Sequence, residues 1–229
     1  TIDTDIIKMI FRKKAYSTTT ATYATSIADY LGANSLTMGS NLSTNGYGTY
    51  GDVRFLKFTA TTAESSAAET NSVRFTVKTK SGYKFRATNV SFQACKIGTD
   101  NGNFDVKWVD GGGTTVLASP VAPNRNNEAG GYFSYLNYSL KEHSNATDGD
   151  CTLLLNLYNV GFIKEGVMTK KEMGLANVII QGVIISSTGI TTPVVLNLTD
   201  ASTYNLQGQR VDSYYKGIVI RNGKKIVNK

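Results

Sequence analysis

Two short loops concentrate the residue types that recognise hydroxyl groups. In "GTDNGNFDV" stand Asp100, Asn101 and Asn103, and in "PNRNNEAGGY" stand Arg125, Asn126, Asn127 and Tyr132. A sugar ring presents hydroxyls that each donate and accept, so its receptor needs amides, a forked planar donor and an aromatic face for the apolar side of the ring. Arg125 is such a fork, suited to a carboxylate or to adjacent hydroxyls, and Asn126 and Asn127 both donate and accept. The cation makes a uronic acid the favoured sugar. Tyr132, directly after the second loop, is the candidate ring. The same residues suit a local role as well, with Arg125 and its amides tying down their own loop through bonds to its backbone.

Asp100, Asn103 and Asp105 also resemble an oxygen-rich cation loop, because calcium takes carboxylates and carbonyls at short spacing. The run lacks the alternating acids and terminal Glu of an EF-hand, and Asp-Asn-Gly is an ordinary turn, so a structural calcium and a plain turn both fit. No cofactor is required. Trp108 shares its parity with Phe104 and Val106, which assigns it to the core rather than to a sugar. Carboxylates stand at Asp105, Asp110, Glu128, Asp148 and Asp150, yet none lies in a catalytic motif. The G-x-S-x-G elbow and a phosphate-binding glycine loop ahead of a helix are absent from the sequence. His143 is the one histidine, which excludes a multi-histidine metal site and leaves it the reading of an exposed loop residue. A binding protein rather than an enzyme is expected, with a small lyase or hydrolase as the enzymatic alternative.

These loops need a scaffold. The 229 residues are 41% hydrophobic and 18% charged, within the globular range, with 13 Tyr and 22 Gly that lean the composition toward strands and turns. The net charge of +7 favours anionic partners, but Lys and Arg are scattered, so no nucleic acid is expected. No run approaches the ~20 apolar residues of a membrane span, so no membrane insertion is expected. Cys95 and Cys151 are too few for a zinc framework; a disulfide and two half-buried thiols are both open.

Along the chain, "DTDIIKMIFRKK" and "TYATSIADYLGAN" place apolar residues at helical spacing and predict two short N-terminal helices. Residues 33–52 are rich in turn formers and read as a surface loop carrying Tyr47 and Tyr50. From Val53 the period becomes two: Val73, Phe75 and Val77 share one side of a strand, and Phe104, Val106 and Trp108 one side of another. Hairpins are predicted at Ser81-Gly82 and at Gly111 to Gly113, with further strands over 131–140, 151–163 and 174–185. Spaced strands without intervening helices predict an all-β fold, an antiparallel β-sandwich of the jelly-roll kind. This domain covers 1–187, followed by a linker over 188–202 and a small β tail over 203–229 with turns at Gly208 and Asn222-Gly223.

The tail carries Tyr204, Asn205, Gly208 to Val211, Lys216 to Ile220 and Asn222 to Lys225 in a pattern that resembles the C-terminal segments of secreted polysaccharide-processing proteins of Bacteroidetes. Over residues 50–185, "KIGTDNGNFDV", "PNRNN" and "LANVIIQGV" resemble the β-sandwich modules that accompany pectate lyases, which are of the galactose-binding-like jelly-roll class. The first resemblance implies a secreted or cell-surface location. The second implies a non-catalytic module that binds polysaccharide or oligosaccharide. The rival expectation is a structural or adhesive surface module whose exposed tyrosines meet a protein partner. The sequence leaves the oligomeric state open.

Overall fold

Strand follows strand along the chain, because valine, phenylalanine, leucine and isoleucine recur at alternate positions in most of its segments. The computed structural model describes residues 2–9, 22–23, 29–32, 35–51, 53–98, 101–125, 132–187, 203–205, 210–211, 217–221 and 224–228. The strands are β1 (Ile2–Met9), β2 (Thr22–Tyr23), β3 (Ser35–Met38), β4 (Leu42–Tyr50), β5 (Val53–Ala60), β6 (Ser72–Lys78), β7 (Tyr83–Ile97), β8 (Asn103–Asp110), β9 (Gly113–Val121), β10 (Ser134–Ser139), β11 (Asp150–Tyr158), β12 (Gly161–Lys164), β13 (Val167–Lys170) and β14 (Glu172–Ser186), then β15 (Thr203–Asn205), β16 (Arg210–Val211), β17 (Gly217–Arg221) and β18 (Lys224–Asn228). Two compact units divide the chain, Thr1–Thr192 and Pro193–Lys229.

The first unit is an antiparallel sandwich. One sheet contains β5, β14, β7 and β10 in that order, and the other β6, β11, β8 and β9. Apart from the β8–β9 hairpin and the β12–β13 ribbon, successive strands from β5 to β14 change sheets, which is the double Greek-key order of a jelly roll. β14 is long enough to pair twice on its far edge: Glu172 to Leu175 pair with β5, and Val178 to Ile184 with β1. Between the two stretches β14 bulges, with Asn177 at φ 46°.

The predicted inward faces meet between the sheets. Val73, Phe75 and Val77 of β6, Phe104, Val106 and Trp108 of β8, and Leu153, Leu155 and Leu157 of β11 pack with Phe85, Val90 and Phe92 of β7 in one buried cluster. Each such side chain contributes about 1.5–3 kcal/mol relative to leaving it in water, so the alternating pattern decides which way every strand faces.

Several local expectations are corrected. Ile2–Met9 is a strand, not a helix: Ile7, Lys8 and Met9 pair with Ile180, Ile179 and Val178. A solitary helix of this length is marginal in water, whereas the open edge of β14 offers every second backbone group a partner. Thr22 and Tyr23 pair with Lys8 and Ile7 of β1, so the start of the second predicted helix is extended too, and residues 10–21 and 24–28 lie outside the described residues. The stretch read as a loop over 33–52 contains β3 and β4, which extend the two sheets at their edges. Its turn-forming composition hides strands whose partners lie elsewhere in the chain.

The turn at Ser81-Gly82 does not make a hairpin. β6 pairs with β3 and β11, while β7 pairs with β10 and β14 in the opposite sheet. Phe75 and Phe85 both face the core, and the turn carries the chain across it. The predicted strand over 151–163 breaks after Tyr158, where Asn159 takes φ 55°, and among the described residues β12 pairs with β13 alone. The hairpin at Gly111 to Gly113 is present, with Asp110 paired to Gly113.

Cys95 and Cys151 are free and fully buried. They belong to opposite sheets, and Cys151 faces the main core whereas Cys95 packs with Phe55, Phe133 and Ala176 in a second cluster on the outer side of its sheet. The disulfide alternative therefore falls.

The second unit is a four-stranded antiparallel sheet in the order β16, β15, β17, β18, with Arg221 paired to Lys224 across the Asn-Gly connection. Gly208 and residues 188–202 lie outside the described residues.

Candidate functional site

β7 ends where the two predicted loops begin and end. Lys96 donates its backbone N–H to Asn124 O at 2.8 Å, and the adjacent Arg125 forms a parallel bridge with Lys96. Asn124 donates its own N–H to Ser134 Oγ, also at 2.8 Å, at the first residue of β10. The segment before the second loop is thus laid along the end of β7 and pinned to β10. Arg125 is exposed there, so its guanidinium is not sealed in the fold.

Just before β10 a stack of rings covers the outer side of the same sheet. Tyr132 lies parallel to Tyr50, 5.2 Å between centroids and 3° between planes, and Tyr50 lies on Phe55 at 4.7 Å and 16°. Phe133 meets Phe55 edge-on at 5.6 Å. Offset stacks of this kind add about 0.5–1.5 kcal/mol per pair beyond area burial. Phe55 reaches its place because glycines lie beneath it: a Cβ on Gly174 would fall 2.7 Å from the ring and 2.8 Å from Cys95 Sγ, and one on Gly48 would strike the ring. Tyr50 and Tyr132 remain half-buried, and they pack with Ile97, at the end of β7, against the cluster of Phe55, Cys95, Phe133 and Ala176. Burial, together with the nearby Cys95, Glu172 and Tyr132, raises the Tyr50 phenol above its ordinary range and keeps it protonated. Polar groups border the stack. Lys57 Nζ lies 3.7 Å from Glu172 Oε1, which also accepts a hydrogen bond from the Asn45 amide, and the Arg54 guanidinium sits 4.7 Å over the Tyr47 ring.

The predicted site residues fall in three places. Arg125 and Tyr132 stand at this end of β7 and β10. Asp100, Asn126 and Asn127 lie outside the described residues. Asn103 and Asp105 start β8, and there the Asp105 carboxylate is buried, with Oδ1 accepting from Ser119 Oγ at 2.6 Å and from the Tyr158 hydroxyl at 3.3 Å. Burial first, then the Asp105 charge and that hydrogen bond, push the Tyr158 phenol up. Among the described residues no three His, Cys, Asp or Glu side chains gather in a metal-holding group.

Trp108 is fully buried, as its parity predicted, and His143 is exposed. Of the aromatics near β10, Phe133 is buried, Tyr138 packs toward Phe92, and Tyr135 is 78% exposed. Sequence reasoning missed Phe55 and the stacking role of Tyr50. The available signal was Gly48 and Gly174 opposite an aromatic strand, but which residues lie opposite is a matter of register, not of local sequence.

No family model matches the chain, and no curated protein matches it. Among solved structures, the enzymatically active domain of tailspike protein 4 of bacteriophage CBA120 aligns at 12% identity and a TM-score of 0.27, covering 66% of this chain and 19% of that one. A likeness so slight carries no argument about fold or activity.

Proposed function

We propose that the chain is a non-catalytic carbohydrate-binding module of a secreted or surface-exposed glycan-utilisation protein, and that its ligand is an acidic, uronic-acid-containing polysaccharide. A jelly roll hosts many functions, so the fold alone does not choose among them. The observation that carries the reading is that an exposed arginine, bridged to Lys96 of β7, and the half-buried Tyr132–Tyr50 ring pair, just before β10, stand at the same end of the sheet. The guanidinium supplies a forked donor for a carboxylate, and a tyrosine ring supplies a face for the apolar side of the sugar. The secreted placement draws on the resemblance of the C-terminal strands.

Affinity electrophoresis through gels containing polygalacturonate tests it. The chain is expected to be retarded, and Arg125→Ala to weaken binding roughly tenfold or more, the loss of a charged hydrogen-bonding group. Unchanged retardation of Arg125→Ala, or none for the parent chain, overturns the assignment. Release of unsaturated or reducing product from the same polymer would replace it with an enzymatic function.

A second reading, docking on a protein partner, draws on the β12–β13 ribbon, where Ile163 and Val167 are 66% and 68% exposed. Capture of one defined surface protein that Ile163→Ser abolishes, with no polysaccharide bound, would favour it.

A further inference from the structure

The outer face of the sheet formed by β10, β7 and β14 has a character unlike the rim just described. Register lays two rows across it: Tyr135 faces Gln93, which faces Ala176, and Asn137 faces Ser91, which faces Ile179. Residues directly opposite in a sheet share a face. The alternate positions, Leu136, Tyr138, Val90, Phe92, Leu175 and Ile180, pack in the core, so the two rows point outward. None of these six residues is charged, and on β1 Lys8 pairs with Ile179 at the far end of the second row.

Tyr135 dominates this face. At 78% exposure it is the one aromatic among the large apolar side chains that the described residues leave in solvent. Gln93 beside it is only 6% exposed, and its Oε1 accepts from Asn177 Nδ2 at 2.5 Å. Asn177 sits in the bulge of β14 at φ 46°, a left-handed conformation uncommon outside glycine and best tolerated by asparagine among other residues. A bulge re-aims a side chain, and this one brings the Asn177 amide to Gln93. With that bond made, Gln93 keeps donor capacity at Nε2 and Asn177 keeps acceptor capacity at Oδ1. Ala176 is buried among Phe55, Cys95 and Phe133, so the open part of the two rows is Tyr135, Asn137, Ser91 and Ile179.

We propose that this face is a second carbohydrate-binding platform that takes neutral polysaccharide, with Tyr135 as the stacking ring and the Gln93–Asn177 amides as the groups that read hydroxyls. The inference rests on the carbohydrate reading of the chain but not on the acidic sugar assigned to the rim. An amide pair beside an open ring matches uncharged hydroxyls and presents no forked cation to a carboxylate.

Gels containing galactan, galactomannan, xylan or mixed-linkage β-glucan, run beside polygalacturonate, provide the test with the parent chain, Tyr135→Ala, Tyr135→Trp and Arg125→Ala. At least one neutral polymer is expected to retard the parent; Tyr135→Ala weakens that binding tenfold or more, Tyr135→Trp keeps it, and Arg125→Ala leaves it unchanged. Because Tyr135 lies outside the core, circular dichroism is expected to show Tyr135→Ala folded as the parent. Neutral binding through Tyr135 without any on polygalacturonate sustains this inference while overturning the acidic assignment. Binding to polygalacturonate with none to the neutral polymers, or neutral binding indifferent to Tyr135, overturns this inference alone. A dimer that Tyr135→Ala dissociates, with no polymer bound, gives the face to a second copy of the chain and overturns both.

Discussion

Trp108 donates its indole N–H to Asp110 Oδ2 at 3.0 Å, two residues further along β8. The same carboxylate accepts the backbone N–H of Gly112 at 2.8 Å and of Asn145 at 2.7 Å, and the Asn145 amide at 3.2 Å. One side chain therefore satisfies the only polar atom of the largest buried ring and ties the β8–β9 turn to the segment that leads into β11. Gly111 adds a bond from its N–H to Thr147 Oγ1 at 2.9 Å.

Acid should loosen this knot. Burial pushes the Asp110 carboxyl up, but the hydrogen bonds from Asn145, Gly112 and Trp108 outweigh it, and the group stays below its ordinary value of 3.8. A carboxyl lowered by folding stabilises the fold above its unfolded pKa, and that contribution is lost as pH falls through the folded value. Asp110→Ala is expected to lower stability by about 1–3 kcal/mol near neutral pH, since it strands donors that the carboxylate serves. Urea unfolding of both proteins checks the sign: the gap between them should be full at pH 6 and shrink as pH drops below about 4. An equal gap at acid and neutral pH would contradict the account.

The two thiols should be silent in the native protein. Burial pushes Cys95 and Cys151 each up to about 12, against smaller opposing hydrogen bonds from Gly174 N–H and the Thr147 side chain respectively. The thiolate is the reactive form, so neither should react with a disulfide reagent at pH 8 until the chain unfolds. Counting thiols before and after adding guanidinium is the measurement, with none expected before and two after. A native thiol that reacts promptly would place its sulfur nearer solvent than the structure does.

Gly174→Ala should strain the ring stack. The new Cβ would meet Phe55 and Cys95, both buried and hemmed in, rather than the loose end of a flexible side chain. Overpacking of this kind costs about 1–3 kcal/mol. The denaturation midpoint should fall, and the near-ultraviolet circular dichroism of the tyrosines should change with it, because Phe55 supports Tyr50 and Tyr50 supports Tyr132. Wild-type stability together with an unchanged aromatic signal would show that the stack is looser than its contacts imply.

Much of the sandwich was legible because a strand with one buried face writes its own alternation. Val73, Phe75 and Val77, or Phe104, Val106 and Trp108, announce both the strand and the side it hides. The edge elements were not legible. Ile2–Met9 carries a pattern short enough to suit a helix, and only the vacant edge of β14 made it a strand. The turn at Ser81-Gly82 was equally ambiguous, because a tight turn serves a hairpin or a crossing between sheets, and partner strands remote in sequence decide which. Of the candidate site, Arg125 and Tyr132 were visible as loop chemistry; Tyr50, Phe55 and the exposed Tyr135 were not, since their roles depend on cross-strand neighbours.

By itself, then, the order of residues determined the local periods, the strand faces and an all-β architecture, for these follow from side-chain hydrophobicity and the two-residue repeat of an extended backbone. Tertiary structure alone decided the pairing partners, the opposite placement of the two cysteines and the gathering of aromatic rings at one end of β7. Those outcomes depend on contacts between residues remote in sequence, and a local pattern holds no information about which remote surface will arrive to cover it.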